Sequence, residues 1–154
     1  IAELRKTRTD FVYTIIGHGH LETQIKAWVQ EYGLSNYTNI LIAPNNVQEI
    51  LRNADIYLST SLFEGTSNSI MEAMNWSIPV VATNVGDNHV LIKHNQSGYL
   101  TQTGDWMGLA SSMDNLLSSY QTRLMMGLKG HEKLHDFSLA KFSNSYNDIL
   151  KTKI

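Results

Sequence analysis

The sequence predicts an α/β fold in which a parallel sheet is covered by helices on both faces. Three observations predict it. Short β-rich apolar runs alternate with helical stripes along most of the chain. The runs are apolar throughout, as strands buried on both faces are. No linker, internal repeat or low-complexity stretch divides the 154 residues, which suit a single domain. Repeated strand–helix units close into a parallel sheet with helices on either side.

The elements follow in order. Ile1-Ala2-Glu3-Leu4-Arg5-Lys6 reads as the middle of a helix, so the chain is expected to be a piece of a longer protein. Phe11 to Ile16 is a β-rich run ended by Gly17. A helical stripe follows at Leu21, Ile25, Trp28, Val29 and Tyr32, stopped by Gly33. Asn39 to Ile42 is the next strand, and Val47 to Asn53 a short helix. Asp55 to Ser59 is a strand, followed by a polar loop and a helix from about Ser67 to Trp76. Pro79 to Thr83 is a fourth strand and Gly98-Tyr99-Leu100 a short fifth. Trp106, Leu109, Met113, Leu116, Leu117 and Tyr120 make one helical stripe. Leu139, Phe142, Tyr146, Ile149 and Leu150 make another, expected to be partly orphaned and to promote self-association. The arrangement is Rossmann-like. Ligands of such sheets bind outside the carboxyl ends of the strands, here the loops Gly17 to His20, Ala43 to Asn46, Ser61 to Ser67 and Asn84 to Asn88.

Composition narrows the function classes. Hydrophobic residues make up 42% and charged residues 17%, which excludes a disordered or collagen-like polymer. A net charge of −2 supplies no basic field for nucleic acid, so no nucleic-acid partner is expected. With no cysteine there is no disulfide, thiol nucleophile or zinc–thiolate site, and a cytoplasmic location is expected. No apolar run reaches the roughly 18 residues of a membrane span.

The most informative stretch runs from Ser61 to Met74. A strand leads into a loop carrying Glu64, and a helix starts near Ser67. Unpaired N–H groups at a helix start form an anion site suited to phosphate. Gly65 lets the backbone approach a ligand closely. Glu72, eight residues after Glu64, supplies a second carboxylate, and two carboxylates flanking an anion site suit the hydroxyls of a ribose and a sugar. A structural reading stands beside this one. Ser69-Ile70-Met71-Glu72 fits a capping box, and Ser61 to Glu64 fits the same pattern.

Glu64, Glu72, the following Ala73-Met74 and the strand Ile78-Pro79-Val80-Val81-Ala82-Thr83 together resemble glycosyltransferase family 4. These are retaining nucleotide-sugar enzymes of two Rossmann-like lobes, the GT-B fold. Ile15-Ile16-Gly17-His18-Gly19-His20, Ala54-Asp55-Ile56-Tyr57-Leu58, Asn84-Val85-Gly86 and Asn95 to Leu100 match further segments of that family in order and spacing. The match begins near residue 11 and covers only the family's C-terminal, donor-binding lobe. The resemblance implies that Glu64 holds the donor sugar and Glu72 the ribose hydroxyls. Backbone at Gly65, Thr66, Ser67, Asn68 and Ser69 would hold sugar and diphosphate, and Ala43, Pro44 and Asn45 the nucleobase. Transfer would proceed with retention at the anomeric carbon, stabilisation of the leaving diphosphate being the main catalytic device. The nucleotide-sugar is then a substrate, with no cofactor and no metal expected. The acceptor, a glycan or lipid-linked glycan of cell-surface polysaccharide synthesis, would meet an N-terminal lobe. Peripheral attachment of the whole enzyme to the inner face of the membrane is part of the same expectation.

The chain also departs from that pattern. The family's opening strand, with its Gly-Arg turn and nearby Lys, is not among these residues, so the isolated chain is expected to be inactive. Arg5, Lys6 and Arg8 read as a solvated helix face rather than substitutes. His20 stands where the family usually has Pro, and Val90 where it often has Glu. Gly17-His18-Gly19 is not a dinucleotide fingerprint, because Glu22 takes the third glycine's place. Trp28, Trp76 and Trp106 read as core rather than sugar platforms. Two other functions remain: a non-catalytic nucleotide-binding or interaction module, and a zinc hydrolase through His131-Glu132-Lys133-Leu134-His135. The zinc reading lacks a third ligand in a recognised motif.

Overall fold

A computed structural model describes residues 1–137 and Lys141. Five parallel strands alternate with helices. Helix α1 (Ala2–Arg5) precedes β1 (Tyr13–Ile16), α2 (Glu22–Glu31), β2 (Thr38–Leu41) and α3 (Val47–Arg52). Then come β3 (Tyr57–Ser59), α4 (Asn68–Asn75), β4 (Val80–Thr83), α5 (Asn88–Leu91) and β5 (Gly98–Thr101). Helices α6 (Trp106–Ser118) and α7 (Tyr120–Lys133) and a 3-10 turn (Leu134–Phe137) complete the described structure. The stripe expected at Leu139, Phe142, Tyr146, Ile149 and Leu150 lies outside the described residues. Among the described residues no helix is long and apolar enough to cross a membrane.

Strand β4 shows why the helices lie on both faces. Val80, Val81, Ala82 and Thr83 are all buried. Val80 and Ala82 join Ile70, Ala73 and Met74 of α4 with Leu91 and Ile92 in one core. Val81, pointing the other way, joins Ala110, Met113 and Leu116 of α6 with Leu4 and Met126 in a second. A strand covered twice has no polar face to show, so its sequence runs apolar.

The strands form two sheets rather than one. β1 pairs with β2, while β4 lies between β3 and β5, every ladder being parallel. A cleft of about 900 Å³ separates them, lined by β1 from one side and Ile56, Tyr57 and Leu58 from the other. The two pieces read β2-β1 and β3-β4-β5, in the sequence of a doubly wound 3-2-1-4-5-6 sheet with the cleft at the position of strand 1.

The small first sheet explains one mistaken expectation. Helix α2 buries no residue, and Trp28 on its apolar stripe is 45% exposed, since two strands offer too little surface to cover it. Trp76 and Trp106 are also partly exposed, so none of the three tryptophans is core. The helix itself ends as expected. Gly33, at φ 65°, donates to Gln30 and the Leu34 N–H to Val29, a Schellman closure. Two arginines are not a solvated face either. Arg8 pairs with Asp10 at 2.6 Å and Asp114 at 3.1 Å, tying the α1–β1 link to α6. Arg5 lies over the Tyr37 ring at 4.4 Å. The stripe from Trp106 to Tyr120 is broken at Ser119, whose extended backbone and side-chain bond to the Thr122 N–H start α7.

Candidate functional site

The loops that follow β1 to β4 are the ones expected to meet a ligand, and the loop from Ser61 to Ser67 is the most tightly built. Ser61 Oγ donates to Glu64 Oε1 at 2.7 Å. Thr83 Oγ1 at the end of β4 donates to the Ser61 carbonyl at 2.6 Å. The fully buried Asn88 in turn donates to the Thr83 carbonyl at 2.9 Å. Thr66 Oγ1 donates to Asp87 Oδ2 at 2.7 Å, and the Asp87 N–H to the Gly65 carbonyl at 3.3 Å. Gly86, at φ 50°, packs so closely that a Cβ there would lie 2.1 Å from the Glu64 carbonyl oxygen. The turn from Gly86 to Asn88, in a loop expected to meet a ligand, braces the Glu64 loop.

Helix α4 starts after Ser67, which is buried and makes no side-chain cap bond. Ser67 Oγ instead lies 3.2 Å from Ser69 Oγ. The first-turn amides of Asn68 and Ser69 are therefore uncapped, as an anion site requires. Gly65 does not hold a positive φ, and nothing lies within 4 Å of where a Cβ would stand. The protein's own packing does not demand a glycine there.

The capping-box reading of Glu72 fails on this geometry. The N-cap is Ser67, so Ser69 is already inside the helix and Glu72 lies beyond the first turn. Its carboxylate accepts from Gln48 Nε2 at 3.1 Å, and Gln48 Oε1 accepts from Trp76 Nε1 at 3.1 Å. The Ser61–Glu64 pair is a side-chain bond in a loop, with no helix to cap. Sequence reading missed Gln48, Thr83 and Asp87, because their partners are more than 20 residues away and no local spacing signals them.

Glu72 and Ser69 line the cleft between the sheets together with Asn46 and Val47. Ala43, Pro44 and Asn45 do not line it, and neither do Glu64, Gly65, Thr66, Ser67 and Asn68. Ala43 holds φ 42°, a left-handed conformation uncommon outside glycine, at the turn into this loop. Deeper in the cleft, burial pushes the Tyr13 phenol above its ordinary pKa, and nearby Tyr57 pushes the same way. His131 Nδ1 is 2.9 Å from the Asn75 carbonyl, and His135 lies beyond α7 in the 3-10 turn. Among the described residues no three His, Cys, Asp or Glu side chains converge as a metal site.

The chain is similar to known proteins in sequence and in fold. The profile of the family described as "Glycosyl transferases group 1" matches residues 1–133. The chain is 28% identical over 144 residues to the N-acetyl-alpha-D-glucosaminyl L-malate synthase of Bacillus anthracis, covering 93% of this chain and 38% of the relative. It is 37% identical over 109 residues to the amylovoran biosynthesis glycosyltransferase AmsK of Erwinia amylovora, covering 66% of this chain and 27% of that one. The crystal structure of Anabaena HepE in complex with UDP superposes with a TM-score of 0.84 at 19% identity, over 98% of this chain and 44% of that one. The chain thus spans less than half the length of each of these relatives.

Proposed function

Because the chain belongs to the group 1 glycosyltransferases, we propose that it is the donor-binding part of a retaining, hexosyltransferase-like enzyme that takes a nucleotide-sugar as substrate. One observation carries this reading. An uncapped helix start stands between two carboxylates that are braced separately, Glu64 by Ser61 and Glu72 by Gln48. The amides of Thr66, Ser67, Asn68 and Ser69 would take the diphosphate, and the dipole of α4 would favour its negative charge. Glu64 would accept from the sugar hydroxyls and Glu72 from the ribose diol. Charge grows on the leaving diphosphate as the glycosidic bond breaks, so fixed N–H donors there lower the barrier. The base would meet the turn at Ala43, Pro44 and Asn45, with Asn46 and Val47 at the cleft wall. No cofactor or metal enters this scheme.

In the same reading the cleft between β1 and β3 takes a strand from the preceding part of the protein. A 3-2-1-4-5-6 order puts strand 1 there, and its carboxyl end would open beside the Glu72 pocket. That strand would carry the Gly-Arg turn and Lys that the resemblance implies for the diphosphate. The whole enzyme would extend a cell-surface glycan or lipid-linked glycan from the cytoplasmic face of the membrane. HepE's complex with UDP and AmsK's name in amylovoran biosynthesis support the donor class and the acceptor class.

Calorimetry on two variants tests the assignment. Glu72→Gln keeps the shape but removes charge-assisted bonds worth about 1.5–3 kcal/mol each, so nucleotide affinity should fall about 10- to 150-fold. Glu64→Gln should leave free nucleotide binding unchanged and weaken the nucleotide-sugar. Equal nucleotide binding by wild type and Glu72→Gln would show the ribose assignment to be wrong.

A further inference from the structure

Gln48 is an exposed side chain in the first turn of α3, three residues after the turn assigned to the nucleobase. Its amide spans Glu72 of α4, at 3.1 Å, and the helix's C-cap residue Trp76 one turn on, at 3.1 Å. The indole N–H only donates, so it must face the amide oxygen. That choice turns the amide nitrogen toward Glu72, to which it donates. A flipped amide would set N–H against N–H and oxygen against carboxylate. Arg52, one turn after Gln48, lies over the Trp76 ring at 5.5 Å.

Resting on the ribose reading of Glu72, we infer that Gln48 is the positioning residue that aims this carboxylate, with its own polarity set by Trp76. The arrangement links the base turn and the ribose carboxylate, because Gln48 stands in the first turn of the helix that follows that turn and its side chain grips Glu72. An exposed Glu side chain samples several rotamers, and a fixed donor selects one of them before the ligand arrives. Only glutamine satisfies both neighbours. Glutamate at this position would still accept from Trp76 but would set a second carboxylate against Glu72.

The test compares a ribonucleotide with its 2′,3′-dideoxy counterpart, using whichever of UDP, GDP and ADP the chain binds best. Wild type should prefer the ribonucleotide. Gln48→Ala should cut that preference about fivefold to tenfold, the worth of roughly one hydrogen bond. Gln48→Glu should cut it further, and both variants should bind the dideoxy form as wild type does. A merely structural Gln48 would weaken both ligands equally, and that result would overturn the inference. Glu72→Gln separates the two layers of reasoning. If Glu72→Gln loses the preference while Gln48→Ala keeps it, Glu72 holds the ribose and Gln48 does not position it. If wild type binds one of the three without preferring its ribose form, the ribose reading itself fails. A ligand-free readout stands beside these. The Trp76 indole N–H resonance should move in Gln48→Ala, and an unmoved resonance would overturn the inference whatever binds.

Discussion

Replacing Gly86 with alanine should damage both stability and donor binding, for a reason located in one contact. The residue holds φ 50°, where an L side chain costs about 1–2 kcal/mol. The new Cβ would also stand 2.1 Å from the Glu64 carbonyl oxygen and 2.9 Å from that of Gly65, so backbone must move. Overpacking of this kind costs about 1–3 kcal/mol. Together they predict a loss of about 3 kcal/mol, or about 6–12 °C in Tm for a domain of this size. The displaced backbone is that of Glu64, so affinity for a nucleotide-sugar should fall more than affinity for the free nucleotide. Gly65→Ala is the contrast, since its Cβ would meet nothing within 4 Å and its φ is not positive. That variant should change Tm by no more than about 2 °C, yet weaken the nucleotide-sugar if ligand lies against the backbone there. Thermal melting with calorimetry reads both. A Gly86→Ala protein that melts and binds like wild type would refute the brace, and equal nucleotide-sugar binding in Gly65→Ala would refute close backbone approach.

Two further outcomes test the packing and the cleft. In α7, Gly127→Ala would drive a Cβ to 1.8 Å from the Ser77 carbonyl, whereas Gly130→Ala meets only ordinary contacts at 3.6 Å. Gly127→Ala should therefore lose about 1–3 kcal/mol in urea unfolding, and Gly130→Ala gain up to about 1 kcal/mol from helix propensity. Tyr13 has its pKa raised by burial and then by Tyr57, so the folded state keeps a proton that the unfolded chain releases near its ordinary value of 10.0. Its contribution is complete below that value and is lost as pH rises above it. Tyr13→Phe should shrink the fall in urea midpoint between about pH 9 and pH 11, and an undiminished fall would contradict the shift.

Much of this protein was legible in the order of its residues. Continuous apolar runs such as Val80 to Ala82 mark strands covered on both faces, and the core on either side of β4 has that form. Gly33 marks the end of α2 because a left-handed residue closes a helix cheaply. The stretch from Glu64 to Glu72 pointed to an anion site because helix starts leave amides unpaired, and that is local geometry. What local geometry could not decide is which partner each polar side chain takes. Glu72 fits a capping box by spacing, yet its carboxylate goes to Gln48, 24 residues earlier in sequence. Gly86 matched a family turn by sequence, and only the approach of the β4–α5 turn to the Glu64 loop shows what it and Asp87 do. Trp28 reads as core on its helix stripe and is exposed because the sheet beneath is two strands wide. Periodicity reports what a residue needs from its own helix or strand. Whether another part of the chain meets that need depends on how the elements are stacked, and only the tertiary structure decides it.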